Sequence, residues 1–142
     1  MQALPYHGSC FVCGDENPHS MGLTWYLNDD GSIYSEMIFT LAQQGPPSYV
    51  HGGASAAVLD EAMGAAVWRA GLSVAAVNLE INYHAPLPLG QKAIITARIA
   101  EKLQRKVLTS GEIRLQDGTL VVSGRGIYVE APHLFEGASF GY

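Results

Sequence analysis

The chain has 142 residues, 48% of them hydrophobic and only 15% charged, with a formal net charge of -5. That is enough chain for one packed domain over 1–142; the composition excludes intrinsic disorder, and the acidic balance disfavours nucleic acid as a partner. There is no run of eighteen uncharged apolar residues, and Met1-Gln2-Ala3-Leu4-Pro5 lacks the basic and apolar stretches of a leader, so a soluble cytoplasmic protein with no membrane partner is expected.

In chain order, the first chemistry-bearing residues are Cys10 and Cys13, in Ser9-Cys10-Phe11-Val12-Cys13-Gly14. Their spacing suits metal binding or redox work rather than a long-range staple. Two thiols do not complete a zinc site; His7 and His19 flank them and would make up four ligands on spacing alone. The favoured reading is two reduced thiols packing a turn, with no metal.

Residues 23–27 and 33–39 are apolar-rich runs on either side of Asn28-Asp29-Asp30-Gly31-Ser32, so the chain is expected to begin with a β-hairpin. Gln43, Gln44, Gly45, Pro46, Pro47 and Ser48 then break regular structure and deliver the chain to His51. From Gly52 to Val67, ten of sixteen residues are Gly, Ala or Ser, which reads as a helix that other backbone approaches on nearly every side. Its only charges are Asp60 and Glu61. Burying an ionised carboxyl without a partner costs on the order of several kcal/mol, so Asp60 is either hydrogen-bonded in a core or facing a ligand.

Beyond the helix, Val77, Leu79, Ile81 and Tyr83 alternate with Asn78, Glu80, Asn82 and His84, the pattern of a strand with one polar face. Pro86, Pro88 and Gly90 end it, and 92–101, 106–115 and 120–129 read as three more strands, the last two joined by Gln116-Asp117-Gly118-Thr119. Residues 130–142 carry no pattern. Seven of the eight basic residues lie between Lys92 and Arg125, so a small anionic ligand would find its positive surface in the C-terminal half. One long helix among six strands cannot cover both faces of a parallel sheet, which predicts an α+β fold with an antiparallel sheet curled around the helix.

His51-Gly52-Gly53, with Asp60 nine residues after the histidine in Asp60-Glu61-Ala62-Met63-Gly64, resembles the hotdog-fold acyl-CoA thioesterases of the PaaI-like group. Cys10-Phe11-Val12-Cys13-Gly14 with Asn17-Pro18, Gln44-Gly45-Pro46-Pro47, and Asn82-Tyr83-His84-Ala85-Pro86-Leu87-Pro88-Leu89-Gly90 match further stations of that family in order, over about 10–129. The resemblance implies a sheet wrapped around one central helix, paired subunits as a dimer or dimer of dimers, active sites at the dimer interface and coenzyme A thioesters as substrates. It implies hydrolysis of a small or medium acyl-CoA, or acyl carrier protein, thioester by water without a metal or organic cofactor. Two positions depart from the family pattern: Gly45 stands where relatives often carry Asn, and Ala76 where they often carry Ser or Thr.

On this resemblance Asp60 is the catalytic carboxylate, as general base or nucleophile, with Glu61 in reserve about 100° further round the helix. Gly52 and Gly53 offer backbone N–H groups at the positive end of a helix to a thioester oxyanion, and in the family the first glycine does so. His51 caps or orients the helix start. His84 is assigned to surface or interface. Lys102, Arg105 and Lys106 cluster at a turn and are candidates for coenzyme A phosphates. Gly52 and Asp60 stand roughly 12 Å apart along one helix, so if both act on one thioester, two antiparallel helices of a two-fold dimer must supply them. The alternatives are a hotdog hydratase-dehydratase using His51 with Asp60, and a non-catalytic acyl-CoA binding protein.

Overall fold

In the computed structural model, which describes residues 1–135, the small-residue segment forms α1, Gly52–Trp68. Val58, Leu59, Ala62, Met63, Ala65, Ala66 and Val67 of α1 are completely buried. A helix apolar nearly all round must be enclosed, and burial of side chains the size of Leu59 and Met63 stabilises by roughly 1.5–3 kcal/mol each.

The enclosure is one antiparallel sheet. Its strands are β1 (Gln2–Ala3), β2 (Tyr26–Leu27), β3 (Ile33–Ile38), β4 (Val74–Tyr83), β5 (Lys92–Lys102), β6 (Lys106–Leu115) and β7 (Leu120–Glu130), in the spatial order β1-β2-β3-β5-β6-β7-β4. Gly111 and Gly124 face each other across β6 and β7. A Cβ at Gly111 would lie 3.2 Å from Leu59 Cδ2, and one at Gly124 would lie 3.4 Å from Met63 Cε, so the absence of side chains there is what lets the helix settle on the sheet. This is the α+β hotdog arrangement that the sequence implies. Among the described residues no helix is long and apolar enough to cross a membrane.

The structure corrects three expectations. The first is of extent: the hairpin across 28–32 forms, with Tyr26 opposite Tyr34 and Leu27 opposite Ile33, but β1 precedes it and only Tyr26–Leu27 of the first run pairs as strand. Leu23 and Trp25 are buried core residues, but the backbone around them bonds irregularly to the N-terminal segment, Leu23 N–H to Val12 O and Leu4 N–H to Trp25 O. Second, β4 starts at Val74, with a register shift between Ala76 and Asn78. Third, its apolar face is uncovered among the described residues: Val77 is 59%, Leu79 39% and Tyr83 56% exposed, and β4 is there an edge strand with β7 as its one strand neighbour. The patternless tail gives its first residue, Glu130, to β7 and forms one 3-10 turn, Pro132–Phe135, while residues 136–142 lie outside the described residues.

Candidate functional site

The loop before α1 fixes the helix start. His51 N–H donates to Gln43 O at 2.7 Å and Val50 N–H to Leu87 O at 2.9 Å. His51 is the N-cap, and its Nδ1 accepts from the Gly53 N–H at 2.8 Å. That bond separates the two glycines: Gly53 N–H satisfies the cap, while Gly52 N–H is the one left at the positive end of the helix. Tyr83 OH donates to Gly52 O at 2.7 Å and holds the peptide. Gly52, Ser55, Tyr49, Tyr83 and His84 line a cavity of about 540 Å³. His84 is exposed, and its Nε2 sits 2.7 Å from Ser123 Oγ. Gly45, where relatives often carry Asn, has no room for a side chain: its Cβ would lie 2.8 Å from His51 Cα.

Asp60 opens onto a different cavity, about 470 Å³, shared with Glu61, Gly64, Trp68, Tyr128 and residues 74–76 at the start of β4. Tyr128 OH, on β7, donates to Asp60 Oδ1 at 2.8 Å and to Asp60 O at 2.7 Å. The tyrosine is only 3% exposed. Burial, then the charge and hydrogen bond of Asp60, push its phenol far above its usual range, so it stays a proton donor. One carboxylate oxygen is thereby oriented and Oδ2 is left for the cavity. Ala76, the second departure from the family pattern, makes that part of the wall apolar.

Asp60 and Glu61 both border this cavity, but they are tied to different partners. Glu61 Oε1 lies 3.0 Å from His7 Nδ1 and accepts from Cys13 Sγ at 3.3 Å. Burial disfavours charge on His7, but hydrogen bonds to Cys10 and Glu61 and the Glu61 charge outweigh it and raise its pKa to about 9. The bond from Cys13 holds the Cys10 thiol well below its usual range against burial, with help from His7 and the backbone N–H groups of Cys13 and Val12. The same bond and burial push Cys13 upward. Both cysteines are free thiols. His19, weighed as a ligand beside them, is not part of this group.

Lys102, Arg105 and Lys106 do come together, at the exposed turn between β5 and β6, where Leu103 N–H bonds to Lys106 O at 2.8 Å. Lys106 and Ala75 are both register partners of Val129, so the basic turn lies at the Asp60 end of the sheet. Sequence reasoning missed Tyr128 and the pairing of His7 with Glu61. The buried-face position of Tyr128 on its strand carries no local sign of an Asp partner 68 residues earlier.

The sequence profile of the thioesterase superfamily matches residues 48–122. Acyl-coenzyme A thioesterase THEM4 of Xenopus laevis is 38% identical over 93 residues, which cover 65% of this chain and 39% of that protein. The chain thus spans less than half the length of this curated relative. The crystal structure of protein RHA08564, a thioesterase superfamily protein, superposes with a TM-score of 0.81 at 35% identity, covering 84% of this chain and 62% of that one. The PaaI protein of E. coli, from the phenylacetic acid degradation operon, shares the fold at a TM-score of 0.72 and 23% identity, covering 78% of this chain and 80% of that one.

Proposed function

The chain belongs to the thioesterase superfamily, and from that premise we propose that it hydrolyses acyl-CoA thioesters at sites shared between two subunits. The carrying observation is the division of the two catalytic groups between two cavities: one holds Asp60 and residues 74–76, the other Gly52 and Tyr83. These cavities lie at opposite ends of β4, the free-edged strand with exposed Val77, Leu79 and Tyr83.

An unpaired apolar edge is a template for a second copy. Antiparallel pairing of β4 with its two-fold mate, about an axis near Leu79, lays the Ala75 end of one strand against the Tyr83 end of the other. Asp60 of one subunit and Gly52 of the partner subunit then border one composite cavity, and the second is generated by symmetry. Substitution of Leu79 by Lys places like charges across that axis and is expected to convert the dimer to monomer in size-exclusion chromatography with light scattering, with loss of hydrolysis; a Leu79→Lys protein still dimeric and active would remove β4 from the interface.

In the composite site the thioester carbonyl oxygen accepts from the Gly52 N–H, which polarises it. Asp60 Oδ2 takes a proton from water as the water oxygen bonds to the carbonyl carbon, or attacks that carbon itself. In either case the C–S bond breaks and the leaving sulfur takes up a proton; on the first route the acid departs directly, and on the second water hydrolyses the mixed anhydride left on Asp60, freeing the acid and restoring the carboxylate. The turn of Lys102, Arg105 and Lys106, two strand spacings or about 10 Å from Ala75 across the sheet, suits the phosphates of a coenzyme A nucleotide. The acyl-coenzyme A thioesterase activity that names the Xenopus laevis relative supports this substrate class.

Thiol release from a panel of aliphatic and aromatic acyl-CoA esters tests the proposal. Release from at least one ester is the expected result; tight acyl-CoA binding without turnover of any ester, or hydration of an enoyl-CoA without thiol release, would overturn it.

A further inference from the structure

The cluster beside the Asp60 cavity has no task in the hydrolysis just described. His7, Cys10 and Cys13 come from the N-terminal segment and Glu61 from the middle of α1. Each offers one donor atom, and the four atoms all lie within 4.8 Å of one another. Tetrahedral zinc, with Zn–N and Zn–O of about 2.0 Å and Zn–S of about 2.3 Å, needs ligand-to-ligand edges of roughly 3.3–3.8 Å. The His7–Glu61 edge is 3.0 Å and the Cys13–Glu61 edge 3.3 Å, so small side-chain adjustments admit the ion.

The backbone around the thiols is built as a tight knuckle. Cys10 N–H bonds to His7 O at 3.0 Å and Gly14 N–H to Cys10 O at 2.9 Å. Val12 N–H points at Cys10 Sγ, 3.4 Å away, the kind of outer hydrogen bond that orients a metal-bound thiolate. A Cβ at Gly14 would meet Cys10 N and Gly8 O at 2.4 Å, so only glycine lets the turn close this far. Among the described residues, no Lys or Arg lines the cavity that these acidic and thiol groups border.

We propose that His7, Cys10, Cys13 and Glu61 bind one zinc ion that clamps the N-terminal knuckle to α1 next to Asp60. Two thiolates with an imidazole and one carboxylate select a borderline-soft ion over magnesium or calcium. Binding releases the Cys13 thiol proton and the proton between His7 and Glu61 to solvent, leaving two S⁻, one neutral N and one carboxylate O on the metal. This departs from the sequence expectation of packed, metal-free thiols, since the fourth ligand is supplied by the helix rather than by His19. The ion here is structural, with all four positions taken by protein, so the proposal stands apart from the hydrolytic reading.

Cobalt(II) titration of the reduced, full chain tests it directly. The wild type is expected to develop a thiolate-to-cobalt charge-transfer band with tetrahedral d–d bands, saturating at about one ion per chain and abolished by one equivalent of zinc. Cys13→Ser should lose the charge-transfer intensity of one thiolate and Glu61→Gln should change the d–d pattern, while His19→Ala and Asp60→Asn titrate as wild type. Absence of any charge-transfer band in the reduced wild type would overturn the site. So would equal reactivity of Cys10 and Cys13 toward a thiol reagent with and without zinc. Both of these readings use the wild type and are independent of whether a variant folds and of whether the protein hydrolyses thioesters.

Discussion

Replacing Asp60 by asparagine is expected to lower thiol release by about 10²- to 10⁴-fold while leaving folding and assembly intact, the range for loss of a positioned proton acceptor. The separation of effects follows from the contacts. Asn retains an amide oxygen that can accept the Tyr128 hydroxyl, as Asp60 Oδ1 does at 2.8 Å, and the backbone bond from Tyr128 to Asp60 O is untouched. What disappears is the carboxylate charge and the basic Oδ2. Steady-state kinetics beside a thermal melt measure both consequences. Full activity of Asp60→Asn together with loss in Glu61→Gln would move the catalytic carboxylate by one residue, although Glu61 is already held by His7 and Cys13.

Gly52→Pro removes one N–H and is expected to cost about 10²- to 10³-fold in kcat, the usual scale for one oxyanion donor. The position tolerates proline better than most. Gly52 is the first residue of α1, where proline's fixed φ suits the helix and its missing N–H breaks no intrahelical bond. His51 before it already sits at φ -60 and ψ 132, the extended conformation that a following proline requires. The added Cβ would come within 3.1 Å of the Tyr83 hydroxyl, and that side chain, 56% exposed, has room to yield. Gly52→Ala adds the same Cβ and keeps the N–H, so it is the control. Alanine should retain most of the activity and proline should not; equal losses in both would assign the effect to packing against Tyr83.

What could be read in advance divides along physical lines. α1, β5, β6 and β7 were legible because their patterns are local: small residues throughout a buried helix, and alternation along strands flanked on both sides. β4 carries the same alternation, yet Val77 and Leu79 are uncovered, since alternation marks an apolar face without saying whether this chain or a second copy covers it. The two-residue β1 is too short to leave a pattern.

At the site, the helix N-terminus and the offset to Asp60 were visible, and the rise of the helix already put Gly52 and Asp60 too far apart for one helix to bring both to one thioester. Contacts made across long stretches of sequence were not visible. Tyr128 reaches Asp60 across 68 residues, and Glu61 reaches Cys13 across 48. Likewise, only the family resemblance favoured the first of two adjacent glycines as donor, and the physical reason, His51 Nδ1 occupying the Gly53 N–H, is a contact that the residue pattern does not display.

Composite sites make a prediction that no single-chain site shares. In the proposed dimer, Asp60→Asn and Gly52→Pro should each lose most activity alone, but a heterodimer of the two pairs the intact Asp60 of one chain with the intact Gly52 of the other in one of its two sites. Mixing equal amounts under exchange conditions should therefore restore about a quarter of wild-type activity, half the dimers being mixed and half their sites intact. Native mass spectrometry confirms the exchange and thiol release reads the recovery. Recovery to that level is the result expected of Asp60 and Gly52 acting across a two-fold interface. Confirmed heterodimers with no activity beyond that of the two parents would contradict it.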